Sequence, residues 1–251
     1  MKLAVSGKGG VGKTTFSAIL ARTLSDRGKT VLAIDADPDA NLAAALGIPN
    51  GDQVKPIAEM KKLIFERTGA QPGTIGGFFK LNPKVDDIPD TLSVKLDNIK
   101  LMRLGSVKKG GSGCLCPEST LLKALVTHVV LGRNEVVIMD MEAGIEHLGR
   151  ATAQAVDKLI VVVEPGRRSI DTAEHIKRLA AEIHLNNIAV VGNKVRGPQD
   201  EAFLRKHLTD FEFLGFMPYD DKLIEADLSG ASPYDTASAA RQVVAGIIDK
   251  L

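Results

Sequence analysis

Seven short apolar runs recur along this chain of 251 residues, and they limit the folds open to it more than any other feature. Most of them are bounded by glycine, proline or a carboxylate, and apolar residues do not alternate with polar ones within them. Continuous runs rich in valine and isoleucine indicate strands that are buried on both faces, which is typical of a parallel sheet. The runs cover residues 3–7, 30–37, 99–105, 135–140, 158–165, 187–195 and 211–218.

Helical patterns lie between several of these runs, at residues 14–28, 119–132 and 169–184. Strands and helices in alternation predict an α/β fold, with a doubly wound and mainly parallel sheet flanked by helices. Residues 69–98 differ, because four glycines and three prolines interrupt every periodic pattern there. We expect a long irregular excursion at the surface in that segment. No linker-like stretch divides the chain, so we expect one domain over residues 1–251.

Charge and composition exclude several classes of partner. The 32 lysines and arginines nearly balance 31 aspartates and glutamates, so a net charge of +1 gives no general attraction to nucleic acid or to anionic lipid. The apolar runs are too short for a signal peptide or a membrane-spanning helix. Two cysteines are too few for a disulfide framework. We therefore expect a cytoplasmic protein that binds neither nucleic acid nor membrane.

The first apolar run leads directly into SGKGGVGKTT, residues 6–15. This stretch contains the pattern G-x-x-x-x-G-K-T of a phosphate-binding loop. Its glycines let backbone N–H groups turn towards phosphate oxygens, and the helix that follows adds the positive end of its dipole. We expect Lys13 to reach the β and γ phosphates and the Thr14 hydroxyl to ligate Mg²⁺. The predicted nucleotide-binding residues of the loop are Gly9, Gly10, Val11, Gly12, Lys13, Thr14 and Thr15.

A second lysine, Lys8, stands at the start of this loop in the stretch KGGVGKT. The stretch resembles the deviant Walker A motif of the class that includes MinD, ParA and the nitrogenase iron protein. The resemblance implies that the chain forms a homodimer, in which Lys8 crosses to the nucleotide of the partner subunit. It adds Lys8 to Lys13 as a residue with a catalytic role, and it makes ATP the expected substrate and ADP the expected product.

The resemblance also assigns roles to residues that follow the second and fourth runs. In this class the loop after the second strand is switch I, whose Asp-Pro aspartate polarises the attacking water, and Asp37 has that place in DADPDANL. A carboxylate at the carboxyl end of a strand faces the ligand crevice, and Asp35 and Asp39 are alternatives for the same role. Asp140 ends the Walker B strand, and we expect it to hold Mg²⁺ through water. Gly144 is expected to place its N–H near the γ-phosphate in switch II.

Residues near the ends of the last two runs predict the base that is bound. In the same class, the counterparts of Asn193, Lys194, Pro218 and Tyr219 flank the purine, and the asparagine amide pairs with the adenine edge. A guanine-binding protein usually has the pattern N-K-x-D, and Arg196 stands where that aspartate would be. ATP and ADP are therefore expected rather than guanine nucleotides.

The only two cysteines, Cys114 and Cys116, belong to a polar, glycine-rich loop near residues 110–117. Unrelated thiols, a disulfide and buried core thiols are alternatives, but the close spacing, a cytosolic setting and the polar flanks favour a metal site. Thiolates suit Ni²⁺, Zn²⁺, Cu(I) or an iron–sulfur cluster, and these residues alone do not distinguish nickel from zinc. A closed tetrahedral site needs four ligands, and a two-fold dimer supplies two cysteines from each subunit.

The motifs KGGVGKT and DADPDANL, the Cys-x-Cys pair and DMEAGIEHLGR together resemble the CooC family of nickel-binding ATPases. The resemblance covers essentially the whole chain, and the Cys-x-Cys pair with AGIEHLGR is its most specific part. It implies a homodimer that binds nickel between subunits through Cys114 and Cys116. It also implies that ATP binding or hydrolysis is coupled to nickel insertion into carbon monoxide dehydrogenase.

Two related functions are alternatives. The first is a MinD-like or ParA-like positioning ATPase, but Glu142 stands where MinD-like proteins usually have proline, and no basic DNA-binding patch is visible. The C-terminal stretch 237–251 offers only two cations, which favours a helix packed on the domain over a membrane-binding tail. The second is an ATP-dependent electron donor like the nitrogenase iron protein, but residues 140–147 lack the cysteine that its switch II carries.

Overall fold

An eight-stranded sheet forms the centre of the computed structural model. In chain order its strands are β1 (Lys2–Gly7), β2 (Thr30–Ala36), β3 (Val94–Leu96), β4 (Ile99–Arg103), β5 (Glu135–Met141), β6 (Lys158–Val163), β7 (Ile188–Val195) and β8 (Glu212–Pro218). The structure describes residues 1–70, 78–105, 117–128, 132, 134–145 and 155–251.

Seven of these strands are parallel to one another, and the order across the sheet is β3-β4-β2-β5-β1-β6-β7-β8. Within the described sheet, only β3 is antiparallel to its neighbour, which is β4. Each of the seven predicted runs coincides with one of the parallel strands. The predicted fold class, a doubly wound and mainly parallel sheet flanked by helices, is confirmed.

Helices cover both faces of this sheet. In chain order the described helices are α1 (Lys13–Asp26), α2 (Leu42–Leu46), α3 (Lys61–Thr68), α4 (Ile88–Leu92), α5 (Pro117–His128), α6 (Arg167–Glu182), α7 (Pro198–His207), α8 (Asp221–Ser229), α9 (Pro233–Thr236) and α10 (Ser238–Ile248). Adjacent residues of a strand point to opposite faces, and β1 shows both layers. Leu3 and Val5 share a core cluster with Phe16 of α1, whereas Ala4 belongs to the cluster that contains Leu121 of α5.

The C-terminal helix α10 packs on the same face as α1. Its Val244 and Ile247 are 0% and 1% exposed, in the core cluster that also contains Phe16. Arg27, just after α1, bonds to Asp249 at 2.6 Å, which links the ends of the two helices. The predicted packing of the C-terminal stretch on the domain is confirmed. Among the residues that the structure describes, no helix combines the length and apolarity needed to cross a lipid bilayer.

Part of the segment predicted to be an irregular excursion, residues 69–98, is regular structure. Val85, three residues before α4, and Ile88, the first residue of α4, are 2% and 0% exposed. Pro89 does not break α4, because it lies in the first turn, where a missing N–H costs no hydrogen bond. Strand β3 then pairs with β4 across a turn at Asp97, whose φ is 51°. The structure therefore corrects the prediction for this part of the segment.

The burial of α4 predicts a large effect of truncating Ile88. Ile88→Ala should lower the free energy of unfolding by about 2–5 kcal/mol, because removing a fully buried side chain leaves a cavity. Ile224→Ala is the matched control: Ile224 is 48% exposed on α8, and its truncation should change the free energy by about 0.5 kcal/mol or less. Urea denaturation measures both, and equal effects would show that α4 does not pack on the sheet in solution.

Candidate nucleotide site

The phosphate-binding loop begins where β1 ends, at the centre of the sheet. Strand β1 pairs with β5 on one side and with β6 on the other. The chain places β2 and β4 on the first side and later β7 and β8 on the second. In sheets of this type, ligands bind beyond the carboxyl ends of the strands at the point where the strand order diverges. The loop therefore lies where the topology predicts the binding crevice.

Two glycines of this loop have no room for a side chain. A Cβ atom on Gly7 would lie 2.3 Å from the carbonyl oxygen of Val162, and one on Gly12 would lie 2.3 Å from Nδ2 of Asn193. Both glycines also have φ angles, 147° and 92°, that L-residues rarely adopt. The loop backbone is thus held against the ends of β6 and β7, which fixes the main-chain groups available to a phosphate.

The predicted loop residues surround the start of α1. Gly12 is the N-cap residue and has no side chain to cap the helix, whose first N–H groups are therefore suited to an anion. Lys13, the first residue of α1, is 7% exposed, and its Nζ donates to the carbonyl oxygen of Lys8 at 3.4 Å. Gly9 and Gly10 are exposed, Val11 is buried, and Thr14 and Thr15 are partly buried.

Two buried carboxylates, Asp35 and Asp140, lie side by side at the ends of β2 and β5, and each is 1% exposed. Asp140 accepts hydrogen bonds from the Ser17 hydroxyl at 3.0 Å and from the Thr14 hydroxyl. Burial raises the pKa of Asp140 to about 7, and the Asp35 carboxylate acts in the same direction. The two hydroxyls oppose that shift. Thr14, the predicted Mg²⁺ ligand, and Asp140, predicted to hold Mg²⁺ through water, are thus brought together, and this set of oxygen donors fits a hard cation.

The Asp35 carboxylate accepts backbone hydrogen bonds from the loop that contains the candidate catalytic residues. Its Oδ1 accepts the backbone N–H of Asp37 at 3.2 Å, and its Oδ2 accepts that of Leu42 at 3.0 Å. Burial raises the pKa of Asp35 to about 6, although these backbone donors oppose the shift. Asp37 in turn accepts the N–H of Asp39 at 2.9 Å. Both oxygens of Asp35 therefore have backbone partners, and the catalytic assignment to Asp37 stays a prediction, with Asp35 and Asp39 as its alternatives.

A buried hydroxyl ties switch II to β1. Ser6, which is 0% exposed, donates to the carbonyl oxygen of Gly144 at 2.6 Å. Gly144 has a φ of 116°, a conformation that suits glycine. Gly144 was predicted as a phosphate contact, but Ser6 was not, although a hydroxyl inside a buried apolar run is a usable signal. The bond links the position of switch II to the loop that follows β1.

A second unpredicted residue, Glu164, joins two predicted ones. Nζ of Lys8 lies 3.2 Å from Oε1 of Glu164, and Nζ of Lys194 lies 3.1 Å from Oε2. Lys194 also donates to the carbonyl oxygen of Gly10 at 2.6 Å. Burial acts to raise the pKa of Glu164, but its hydrogen bonds to Lys194 and Lys8 outweigh burial and keep that pKa below its ordinary value. The sequence does carry a signal for Glu164: it is a carboxylate directly after β6, and Asp140 likewise lies near the carboxyl end of its strand.

The amide of Asn193, predicted to bind adenine, is attached to the phosphate-binding loop. Asn193 is 2% exposed, and its Nδ2 donates to the carbonyl oxygen of Val11 at 2.7 Å. Its Oδ1 accepts the backbone N–H of Lys194 at 2.9 Å. These two bonds leave one N–H and one oxygen lone pair of the Asn193 amide unused. Its contact with adenine stays a prediction.

Tyr219 forms an exposed part of the same region. It follows Pro218, the last residue of β8, and is 38% exposed. Its N–H donates to the carbonyl oxygen of Val195 at 2.9 Å, so Tyr219 lies at the carboxyl end of β7, near Asn193. The guanidinium carbon of Arg196 lies 4.8 Å from the centroid of the tyrosine ring, a cation–π distance. The arginine that replaces the guanine-binding aspartate therefore supports the ring predicted to line the purine.

The predicted metal ligands Cys114 and Cys116 lie outside the described residues, as does most of the loop near residues 110–117. The helix that follows them is described, and α5 begins at Pro117. Within the described ranges, no group of three or more histidine, cysteine, aspartate or glutamate side chains is arranged to hold a metal ion. The Cys-x-Cys site therefore stays a prediction.

The burial of Asp140 predicts a cost to stability that depends on pH. Because its pKa is raised from 3.8 to about 7, the folded state binds the proton more tightly than the unfolded state, and stability falls as pH rises through this interval. Asp140→Asn removes the charge and keeps an oxygen for the Ser17 hydroxyl. In protein free of nucleotide and Mg²⁺, it should raise the thermal midpoint by about 3 °C or more at about pH 8, and by less at about pH 5.

The matched control for this experiment is Asp227→Asn, at an exposed position of α8. It should leave the midpoint unchanged at both pH values, since no buried charge is removed. Thermal unfolding followed by circular dichroism measures both variants. An equal effect of Asp140→Asn at the two pH values would show that the titration of Asp140 is not the cause.

Comparisons with known proteins identify relatives over nearly the whole chain. Residues 2–234 match the family described as the CobQ/CobB/MinD/ParA nucleotide binding domain. The carbon monoxide dehydrogenase accessory protein CooC of Rhodospirillum rubrum is 49% identical over 243 residues, which are 96% of this chain and 92% of that protein. An uncharacterized ATP-binding protein of Methanocaldococcus jannaschii is 43% identical, with 97% of this chain and 95% of that protein covered.

The fold is shared with solved structures as well. A ParA family ATPase from Chlorobium tepidum superposes with a TM-score of 0.72, covering 98% of this chain and 97% of that one. Its sequence identity is 19%, so this likeness shows the fold alone. The sequence relatives show more, because their identity is high over almost the full length. The chain belongs to the CobQ/CobB/MinD/ParA family of nucleotide-binding ATPases, together with the carbon monoxide dehydrogenase accessory protein CooC.

Proposed function

We propose that this ATPase is a homodimeric metallochaperone, which binds nickel between its subunits and couples ATP binding and hydrolysis to nickel insertion into carbon monoxide dehydrogenase. The observation that carries the proposal is 49% identity, over 96% of the chain, to a protein named as an accessory of that enzyme. The pair Cys114 and Cys116 supplies soft ligands that suit nickel. Zinc suits the same ligands and is the natural competitor for the site.

Hydrolysis of ATP follows from the groups around the phosphate-binding loop. The loop main chain and the start of α1 bind the phosphates, and Lys13 balances the charge that develops on the β and γ oxygens. The Thr14 hydroxyl and, through water, Asp140 would hold Mg²⁺, which supplies further positive charge to these oxygens. Asp37 accepts a hydrogen bond from the attacking water and orients it towards the γ-phosphate. ADP and phosphate are the products.

Lys8 extends this site to a second subunit. In the deviant Walker A motif, the early lysine contacts the nucleotide that the partner subunit binds. The Lys8 side chain is 34% exposed and is therefore partly accessible to a second subunit. Each lysine then completes the site of the other subunit, and the dimer depends on nucleotide for that reason.

The same dimer completes the metal site. One subunit provides two thiolates, and its symmetry mate provides the other two, which gives the four ligands of a closed tetrahedral site. Nickel is the cargo of this site, so it has to be released as well as bound. A ligand set divided between two subunits suits release, because separating the subunits removes half of the ligands.

Helix α5 offers a physical route between the two sites. It begins directly after Cys116. Its Leu121 and Leu125 are 0% exposed, and they share a core cluster with Ile145 in switch II. Protein cores are closely packed, so a displacement of switch II by the γ-phosphate is passed to α5 and to the thiolates before it.

Two observations weigh against the alternative of a positioning ATPase. Val244 and Ile247 of α10 are buried in the core, whereas a membrane-binding tail presents its apolar face to lipid. A net charge of +1 gives no general attraction to DNA. The electron-donor alternative lacks support for a different reason, because both cysteines of the chain are in one segment and switch II has none.

The role of Asp37 predicts a separation of binding from turnover. Asp37→Asn should bind ATP with near-normal affinity and lose about 100-fold or more in kcat, since an amide polarises water poorly. Asp39→Asn is the matched control in the same loop and should keep kcat within about three-fold. Phosphate release and ATP titration measure the two quantities. Near-normal turnover of Asp37→Asn would remove Asp37 as the catalytic residue.

The metal site predicts that removing either thiolate abolishes nickel binding but spares nucleotide binding in nickel-free protein. Cys114→Ala and Cys116→Ala should each abolish nickel binding and leave ADP affinity unchanged, while Ser112→Ala, in the same loop, should keep both. Equilibrium dialysis with metal analysis measures nickel, and calorimetry measures ADP. In the parent protein, nickel and nucleotide should change each other's affinity by the same factor. Stoichiometric nickel in both cysteine variants would overturn the proposed site.

A further inference from the structure

The carboxylate of Glu164 is shared by two lysines from different parts of the chain. Oε1 lies 3.2 Å from Nζ of Lys8, and Oε2 lies 3.1 Å from Nζ of Lys194. The side chains of Lys8, Glu164 and Lys194 are 34%, 24% and 42% exposed, so the cluster is partly accessible to solvent. Each oxygen of the carboxylate therefore has its own lysine.

Lys194 has contacts that do not depend on Lys8. Its φ of 56° is unusual for a lysine, and its N–H donates to Oδ1 of the buried Asn193. Its Nζ donates to the carbonyl oxygen of Gly10 at 2.6 Å as well as to Glu164. Lys194 thereby anchors Glu164 in its own subunit. Any movement of Lys8 towards another subunit has to break the contact between Lys8 and Glu164.

We propose that Glu164 is a positioning residue, which holds Lys8 in its own subunit at rest and thereby opposes the nucleotide-dependent dimer. The inference rests on the proposed function, in which Lys8 contacts the nucleotide of the partner subunit. When Lys8 leaves, Glu164 keeps its contact with Lys194, so no unpaired charge is left behind. The contact between Lys8 and Glu164 is therefore reversible at modest cost, which suits a step repeated in every ATPase cycle.

The expected size of the effect follows from the strength of such ion pairs. A partly exposed pair of this kind changes an equilibrium by about two-fold to five-fold. Two Lys8 residues have to be released for one dimer, so the effects multiply to about 4-fold to 25-fold in the dissociation constant of the dimer.

The test uses Glu164→Gln, which removes the charge and keeps the shape of the side chain. Sedimentation velocity of the full chain in Mg·ATP, over a range of protein concentrations, measures the dissociation constant of the dimer. The variant should dimerise about 4-fold to 25-fold more tightly than the parent. Glu212→Gln is the matched control. Glu212 pairs with Lys158 at 3.1 Å, and both lie at the amino ends of their strands, away from Glu164. This control should leave the dissociation constant unchanged.

A second measurement tests the contact itself in nucleotide-free protein. A double-mutant cycle of Lys8→Met and Glu164→Gln on the free energy of unfolding should show that the two substitutions are coupled. A merely structural role of Glu164, acting through Lys194, would leave them additive and would weaken the dimer. Additive substitutions, a weaker dimer, or a dimer only as tight as that of the parent would each overturn the positioning role of Glu164. None of these results would overturn the proposed function. A parent protein that forms no dimer in Mg·ATP would overturn the proposed function as well.

Discussion

The close contact between the phosphate-binding loop and the ends of two neighbouring strands is the constraint on which the site depends. Neither Gly7 nor Gly12 has space for a side chain, since a Cβ atom would lie 2.3 Å from Val162 or from Asn193. The proposed phosphate site therefore relies on main-chain groups beside Lys13, and the packing of the sheet fixes the positions of those groups. The carboxylates, hydroxyls and lysines of the site are all placed relative to this loop.

Buried polar groups near the loop fix the backbone of both predicted switches. Asp35 binds the backbone N–H groups of Asp37 and Leu42, at the two ends of switch I. Ser6 holds switch II through the carbonyl oxygen of Gly144. Buried polar groups are costly to leave unpaired, so these segments have few alternative arrangements. A change at the γ-phosphate is therefore expected to move each switch as a unit, which is what coupling to the proposed metal site requires.

The seven parallel strands could be predicted because burial on both faces leaves a local signature of continuous valine and isoleucine. The short elements α4 and β3 could not, because each is too short to show a period and prolines lie nearby. Glu164 could not be assigned a partner, since Lys8 and Lys194 are 156 and 30 residues away and only the sheet order brings them together. Asn193 was assigned to the base from its motif, but its contact with Val11 depends on tertiary structure.

Nickel held jointly by two subunits, under the control of nucleotide, is the central claim about this ATPase. Native mass spectrometry of the full chain, titrated with nickel in Mg·ATP, in Mg·ADP and without nucleotide, counts chains, nucleotides and metal ions in each complex. A shared Cys-x-Cys site predicts that a single nickel ion is carried by a species of two chains whose abundance depends on nucleotide. Single chains that carry nickel at full occupancy, whatever the nucleotide, would contradict the claim.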